Sequence, residues 1–286
     1  MHTLQGDRLQ VLVLDPAEDR DRLGSRYCAG GSIYQVVDAT RGPLLAGPQW
    51  PAERPDVFHG QGAPEAFNGY PGAEAVSVGA EAWVIGVGLV RRSGGEPFQP
   101  RTSREVTRFA AWDVQSTRLS VTMGTQQSFG GWGCRLHKTV AVSGRTVRSE
   151  TALACTGGAP LPVRWFAHPF FPLPAGRRLF RANIAFAVPE SSGFDRNPEG
   201  WICRRSGHDW QTGCFVQLDY DRAAAGPLDI EQAHPLVGRV TVRTDFAPTS
   251  FPIWGNDCTF SFEPYWERTL APGESAEWAI EYAFPG

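Results

Sequence analysis

Several absences narrow the field first. The chain of 286 residues carries only six cysteines, at 28, 134, 155, 203, 214 and 258, and none of them forms a C-x-x-C pair. That spacing argues against a structural zinc site. There is no block of lysine and arginine, and the formal net charge is -3. Nucleic acid and anionic lipid are therefore not expected partners. The short pairs Arg91-Arg92 and Arg177-Arg178 read as solvated strand ends. No apolar run approaches the length of a membrane span. Met1 to Arg8 is polar and has no apolar core of the secretory type, so a cytoplasmic location and reduced thiols are expected. The spacing of Cys203 and Cys214 leaves one bridge open. Arginine far outnumbers lysine, which reads as genome composition and not as an ion-pair design.

What is present is aromatic, glycine-rich and proline-rich: ten Trp, seventeen Phe, 32 Gly and 23 Pro. Long helices tolerate that load badly, and short strands between turns tolerate it well. Tryptophans can stack on sugars, but core packing accounts for most of them in a β protein. Strands are expected at Leu9 to Leu14, Gly31 to Asp38, Ala82 to Val90, Phe109 to Val114 and Leu119 to Met123. Cys134 to Val142 and Thr146 to Ala154 flank Ser143-Gly144, a two-residue hairpin signal. Further strands are expected at Asn183 to Val188, Cys214 to Tyr220, Gly238 to Asp245, Thr259 to Glu263 and Trp278 to Phe284. The stretch Gly47 to Gly79 is long and irregular, yet Phe58, Phe67 and Tyr70 within it argue for order. The one helix-like hint lies near Asp221 to Ala225. With no repeat or linker, the simplest architecture is all-β: one large antiparallel β-sandwich domain spanning residues 1–286.

One stretch concentrates chemistry. Val163 to Phe171 places His168 in a run of aromatic and apolar residues closed by Pro172. Histidine gives or takes a proton near neutral pH, and its aromatic neighbours exclude water and offer flat faces to a ring-shaped ligand. A satisfied strand histidine is the alternative, since ring nitrogens commonly find partners. His2, His137 and His234 read as structural or solvated.

Three segments fall in a telling order: Phe58-His59-Gly60, His168-Pro169-Phe170-Phe171, and Phe262-Glu263-Pro264-Tyr265-Trp266. This resembles the aldose 1-epimerase (galactose mutarotase-like) superfamily, in an uncharacterised aldose-epimerase-like branch. There a Leu-His-Gly-Gly motif and a His-x-Tyr-Phe motif carry two active-site histidines, and a Glu near the C-terminus is the base. Leu270 to Trp278 and Tyr282-Ala283-Phe284 resemble the closing strands of that family. The chain has Gly60-Gln61 after His59 and Phe170 where Tyr is common. It has no Asn-Arg pair of the sugar-binding type before His59.

The resemblance implies a galactose mutarotase-like supersandwich and an isomerase that interconverts sugar anomers without metal or other cofactor. Glu263 would be the base and His168 the acid, with His59 holding the ring oxygen or a neighbouring hydroxyl. Gly207-His208-Asp209-Trp210 resembles the family's Gly-Tyr-Asp-His region, which makes Asp209 a candidate for sugar hydroxyls; a turn-capping Asp is the alternative. Phe170 and Trp266 are candidate stacking residues, and Arg91 a candidate for a charged substituent. The expected partner is a small sugar or sugar derivative, bound by a monomer or homodimer. The competing reading is a carbohydrate-binding protein without catalysis, because a fold does not fix a function. A zinc site of two His and a Glu is disfavoured, since no clustered ligand spacing is present.

Overall fold

A computed structural model describes residues 1–94, 98–190 and 193–286. Strand accounts for 48% of it and helix for 4%. Every pairing between the strands is antiparallel, and the architecture is that of a large β-sandwich. The main sheet has ten strands. Its centre is formed by Trp132–Ser143, Thr146–Cys155 and Ser275–Ala283, with Gly238–Thr244 and Asp229–His234 continuing to one side. The hairpin expected at Ser143-Gly144 is formed, with Ser143 opposite Thr146. Along Thr146–Cys155 burial alternates, so that Val147, Ser149, Thr151, Leu153 and Cys155 face inward. That period of two is the mark of a sheet with one face in the core.

Smaller sheets pack against this one. The three strands Glu65–Phe67, Leu161–Ala167 and Tyr265–Leu270 form one of them, with Leu161–Ala167 in the middle. Trp165 from this sheet meets Trp278 of the main sheet, ring centroids 5.6 Å apart, and Trp266 stacks on Trp278 at 4.1 Å. Phe67 closes the same cluster edge-on. Two buried indoles and the partly buried Trp266 between two sheets add to the apolar burial on which a sandwich depends.

Four local expectations are corrected. Ala82 to Val90 is not one central strand but a hairpin of Glu81–Val84 and Gly88–Arg91, with Val84 opposite Gly88. Gly86 and Gly88 have φ of 80° and 125°, and only glycine adopts these readily, so the apolar run folds back on itself. The helix lies at Arg20–Tyr27, interrupted at Gly24, and not near Asp221. Its packing face of Leu23, Ser25 and Tyr27 was hidden in a charged segment. In the irregular stretch Gly47 to Gly79, Glu65–Phe67 pairs with Leu161–Ala167 as a third strand. Asn183 to Val188 yields only the two-residue strand Phe186–Ala187. Among the described residues no disulfide is formed, so Cys203 and Cys214 are not bridged. No described helix is long and apolar enough to cross a membrane.

Candidate active site

His168 stands where the middle strand Leu161–Ala167 ends. Its backbone N–H donates to the Pro64 carbonyl at 2.9 Å, and that of Phe170 donates to the Gly62 carbonyl at 2.7 Å. Gly62 has φ of 82°, and a Cβ there would lie 2.1 Å from the Ile33 carbonyl oxygen. Only glycine lets the 60s segment come this close, and that approach pins His168 from behind. Glu263 occupies the break between strands Thr259–Phe262 and Tyr265–Leu270, where Pro264 cannot donate to a ladder. Its own N–H is held by the Pro252 carbonyl at 2.8 Å.

The two side chains face each other. His168 Nε2 lies 3.6 Å from Glu263 Oε1, and the side chains are only 8% and 7% exposed. His168 Nδ1 is 2.7 Å from Ser261 Oγ, which also lies 3.4 Å from the Phe262 carbonyl. Ser261 Oγ and His168 Nδ1 thus form a short buried hydrogen bond whose donor follows the imidazole tautomer, and Nε2 is the ring nitrogen turned toward Glu263. Aromatic rings enclose the pair. Phe170 lies 4.3 Å from the imidazole centroid, Phe166 5.7 Å and Trp254 6.4 Å. Tyr265 stacks on Phe166 at 4.7 Å.

Burial decides the protonation. It pushes the Glu263 carboxyl up to about 7, with the Arg26 charge opposing. It pushes the His168 imidazole well below its ordinary value, with Arg26 and His59 acting in the same direction. The distance would allow an ion pair, but desolvation favours the uncharged form of both groups. A neutral imidazole therefore faces a carboxyl poised near neutrality. A base and an acid with shifted pKa values, 3.6 Å apart in one buried pocket, is an arrangement suited to acid–base chemistry.

The remaining sequence candidates divide. Phe170 is fully buried against His168. His59 lies on an exposed turn, its N–H bonded to the Asp56 carbonyl, close enough to depress His168. Burial and nearby arginines lower the His59 imidazole, while Asp56 opposes them. Arg91, Asp209 and Trp266 are not brought to the pair. Arg91 is spent on Glu105 at 3.0 Å and on the Gly79 carbonyl. Asp209 is exposed and accepts from the Gln211 N–H at 3.1 Å, the turn cap that was its alternative. Trp266 is on the core face of its strand, stacked on Trp278, because its neighbour Tyr265 takes the site face.

Three participants were not foreseen. Ser261 was legible in principle: in Phe260-Ser261-Phe262-Glu263 the parity of a strand puts Ser261 and Glu263 on one face. Arg26 and Tyr27 had no such signal, because only the fold of the helix Arg20–Tyr27 delivers them. Tyr27 is 1% exposed, its hydroxyl has no hydrogen-bond partner among the described residues, and burial pushes its pKa up, with Arg26 opposing and Glu263 adding to the rise. Two cavities adjoin this region. An open cleft of about 480 Å³ is lined by Arg26, Phe58, Asn68, Tyr70, Phe98 and Arg164, among others. A smaller one of about 210 Å³ includes Tyr27, Gly60, Gln61 and Pro64. His168 and Glu263 line neither. Among the described residues no three His, Cys, Asp or Glu side chains come together as metal ligands.

Comparison with known structures agrees with this fold. The chain superposes on the galactose mutarotase related enzyme of Lactobacillus acidophilus with a TM-score of 0.63 at 12% identity, covering 100% of this chain and 97% of that one. A candidate aldose 1-epimerase of Escherichia coli gives 0.58 at 17% identity, over 99% and 97%. A galactose mutarotase-like protein of Lactobacillus casei gives 0.58 at 11% identity, over 99% of both chains. No family model and no curated protein matches the sequence. The fold is thus that of the galactose mutarotase-like β-sandwiches. At these identities the likeness is one of fold.

Proposed function

We propose that the chain, acting as a single domain over residues 1–286, is an aldose 1-epimerase-like isomerase that interconverts the anomers of a sugar without a cofactor. The observation that carries this reading is the contact of His168 Nε2 with Glu263 Oε1 at 3.6 Å. Anomer exchange moves one proton off the C1 hydroxyl and delivers one to the ring oxygen. Both oxygens are bonded to the same carbon, so the groups that serve them must lie within reach of one sugar ring. In the neutral pair Glu263 gives its proton to the ring oxygen while His168 Nε2 takes that of the hydroxyl. The ring opens, the aldehyde rotates, and closure on the other face runs the transfers backward. The assignment of Glu263 as base and His168 as acid then describes the alternate proton position of the same pair, reached once per cycle. His59 and Tyr27 are hydroxyl-binding groups at its edge, and Phe170 is the apolar floor beneath the imidazole.

A second reading has one observation in its favour. Neither adjoining cavity reaches the pair, as suits a sugar-binding protein that does no chemistry. Saturation-transfer NMR between the anomers of a panel of aldoses separates the two. The enzyme reading requires acceleration by the protein and its loss in Glu263→Gln. Binding of a sugar without acceleration, or unchanged acceleration in that variant, sinks it.

A further inference from the structure

We infer that the cleft beside the pair receives the anionic substituent, a phosphate or a carboxylate, of the sugar whose anomeric end meets His168 and Glu263, and that Arg26 is its anchor. The inference rests on the acid–base reading for the direction of the sugar, though not for the anion site itself.

Arg26 is the cation that lines both the ring cluster and the cleft. Its guanidinium carbon lies 4.4 Å from the Phe58 ring centroid, 4.9 Å from that of Tyr27 and 5.6 Å from that of Phe166. Its Nη1 donates to the Phe58 carbonyl at 2.9 Å, and among the described residues no carboxylate lies within ion-pair distance of it. Most other arginines at this face are compensated. Arg104 pairs with Asp56 at 3.0 Å, and Arg164 with Glu267 at 2.9 Å while covering Tyr265. A half-buried guanidinium flanked by three rings, hydrogen-bonded to a backbone carbonyl and with no carboxylate within ion-pair distance among the described residues, can take an anion from the cleft. Its planar fork suits the two oxygens of a phosphate or carboxylate.

Position and size agree. Arg26 and His168 flank the same Phe166 ring, 5.6 and 5.7 Å from its centroid. Arg26 is also close enough for its charge to act on both His168 and Glu263. The cleft, about 480 Å³, is large enough for such a ligand. Tyr70 and Phe98, edge to face at 4.9 Å, give it an aromatic wall, and the amides of Asn68 and Gln99 line it for hydroxyls. Glu74 is the carboxylate among its described lining residues, and it is exposed to solvent, where its charge is screened.

Calorimetry with 1,5-anhydroglucitol 6-phosphate tests the site apart from turnover, because this probe has no anomeric hydroxyl. Binding at least tenfold tighter than that of uncharged 1,5-anhydroglucitol is expected, weakening as salt rises. Arg26→Met should lose that advantage and Arg26→Lys should keep part of it, while Arg104→Met, whose cation is already paired, should change it less than twofold. Circular dichroism of each variant checks that it is folded. Glucuronate set against glucose 6-phosphate distinguishes a carboxylate from a phosphate as the preferred anion. Equal binding of charged and uncharged probes overturns the inference, as does full binding by a folded Arg26→Met. Probe binding with no anomer exchange for any sugar keeps the anion site and removes the acid–base reading instead.

Discussion

Two buried ionisable pairs lie back to back in this molecule, and they differ in what surrounds them. Lys138 is the only lysine of the chain. It is 1% exposed, donates to Glu65 and to Thr151, and lies 5.6 Å from the centre of the Trp165 ring. Glu65 pairs across the ladder with Ala167, the residue before His168. On the other side of that strand end, His168 meets Glu263 in a cage of rings. The first pair is buried in the core, and its Glu65 lies on the strand that pairs with the one leading into His168. Burial lowers the lysine, and Glu65 restores much of its charge by Coulomb attraction and hydrogen bonding. The second pair has a desolvated imidazole whose Nε2 faces a carboxyl pushed to about 7. The first pair holds two charges against each other inside the core, whereas the second holds a carboxyl near neutrality against a desolvated imidazole.

Breaking each pair should therefore fail in different ways. The largest effect is expected for Glu263→Gln, which removes the group that gives and takes the proton. The rate of anomer exchange should fall by about 10²-fold or more with KM little changed, measured by NMR exchange kinetics. Lys138→Met comes next. It strands the Glu65 carboxylate in the core and should cost about 3–5 kcal/mol by denaturant unfolding, while the double change Lys138→Met with Glu65→Leu should recover most of it. If Lys138→Met instead left stability intact and abolished exchange, the division between the pairs would be wrong.

Smaller effects sharpen the contrast. The Glu263 carboxyl is raised in the folded state, so the native protein binds the extra proton between its ordinary value and about 7. Stability from this group falls as pH rises through that window and stays low above it. Glu263→Gln removes the slope, so the variant should be more stable than the parent above neutrality, by roughly 2 kcal/mol, in melts at matched pH. Ser261→Ala should act least. It leaves both titrating groups and removes only the partner of His168 Nδ1, so a loss of several-fold in kcat is expected, with the alkaline limb of the pH profile in place.

The sequence was legible where the physics is local. The hairpin at Ser143-Gly144 and the alternation of Trp278 to Phe284 follow from turn chemistry and a period of two. His168 and Glu263 were found through the order of short motifs, and the structure brings them together. Legibility ended where tertiary packing chooses. Trp266 looked like part of the same aromatic patch as Tyr265, yet adjacent strand residues face opposite sides. Arg91 reads like Arg26 until the neighbours are known: Arg91 is paired with Glu105, whereas among the described residues no carboxylate lies within ion-pair distance of Arg26. The one lysine among many arginines was read as composition, and its burial against Glu65 shows a structural use that no count reveals.

The central claim is that one proton, shared by His168 and Glu263, drives exchange at the anomeric carbon. Its most direct test is the NMR exchange rate of the best aldose, followed between about pH 5 and pH 9 in the parent and in Glu263→Gln. The account predicts a bell. It should rise as His168 loses its proton below the ordinary imidazole range and fall as Glu263 ionises near 7, with the whole profile flattened in the variant. A rate that climbs steadily through pH 7, or a variant that keeps the bell of its parent, would contradict it.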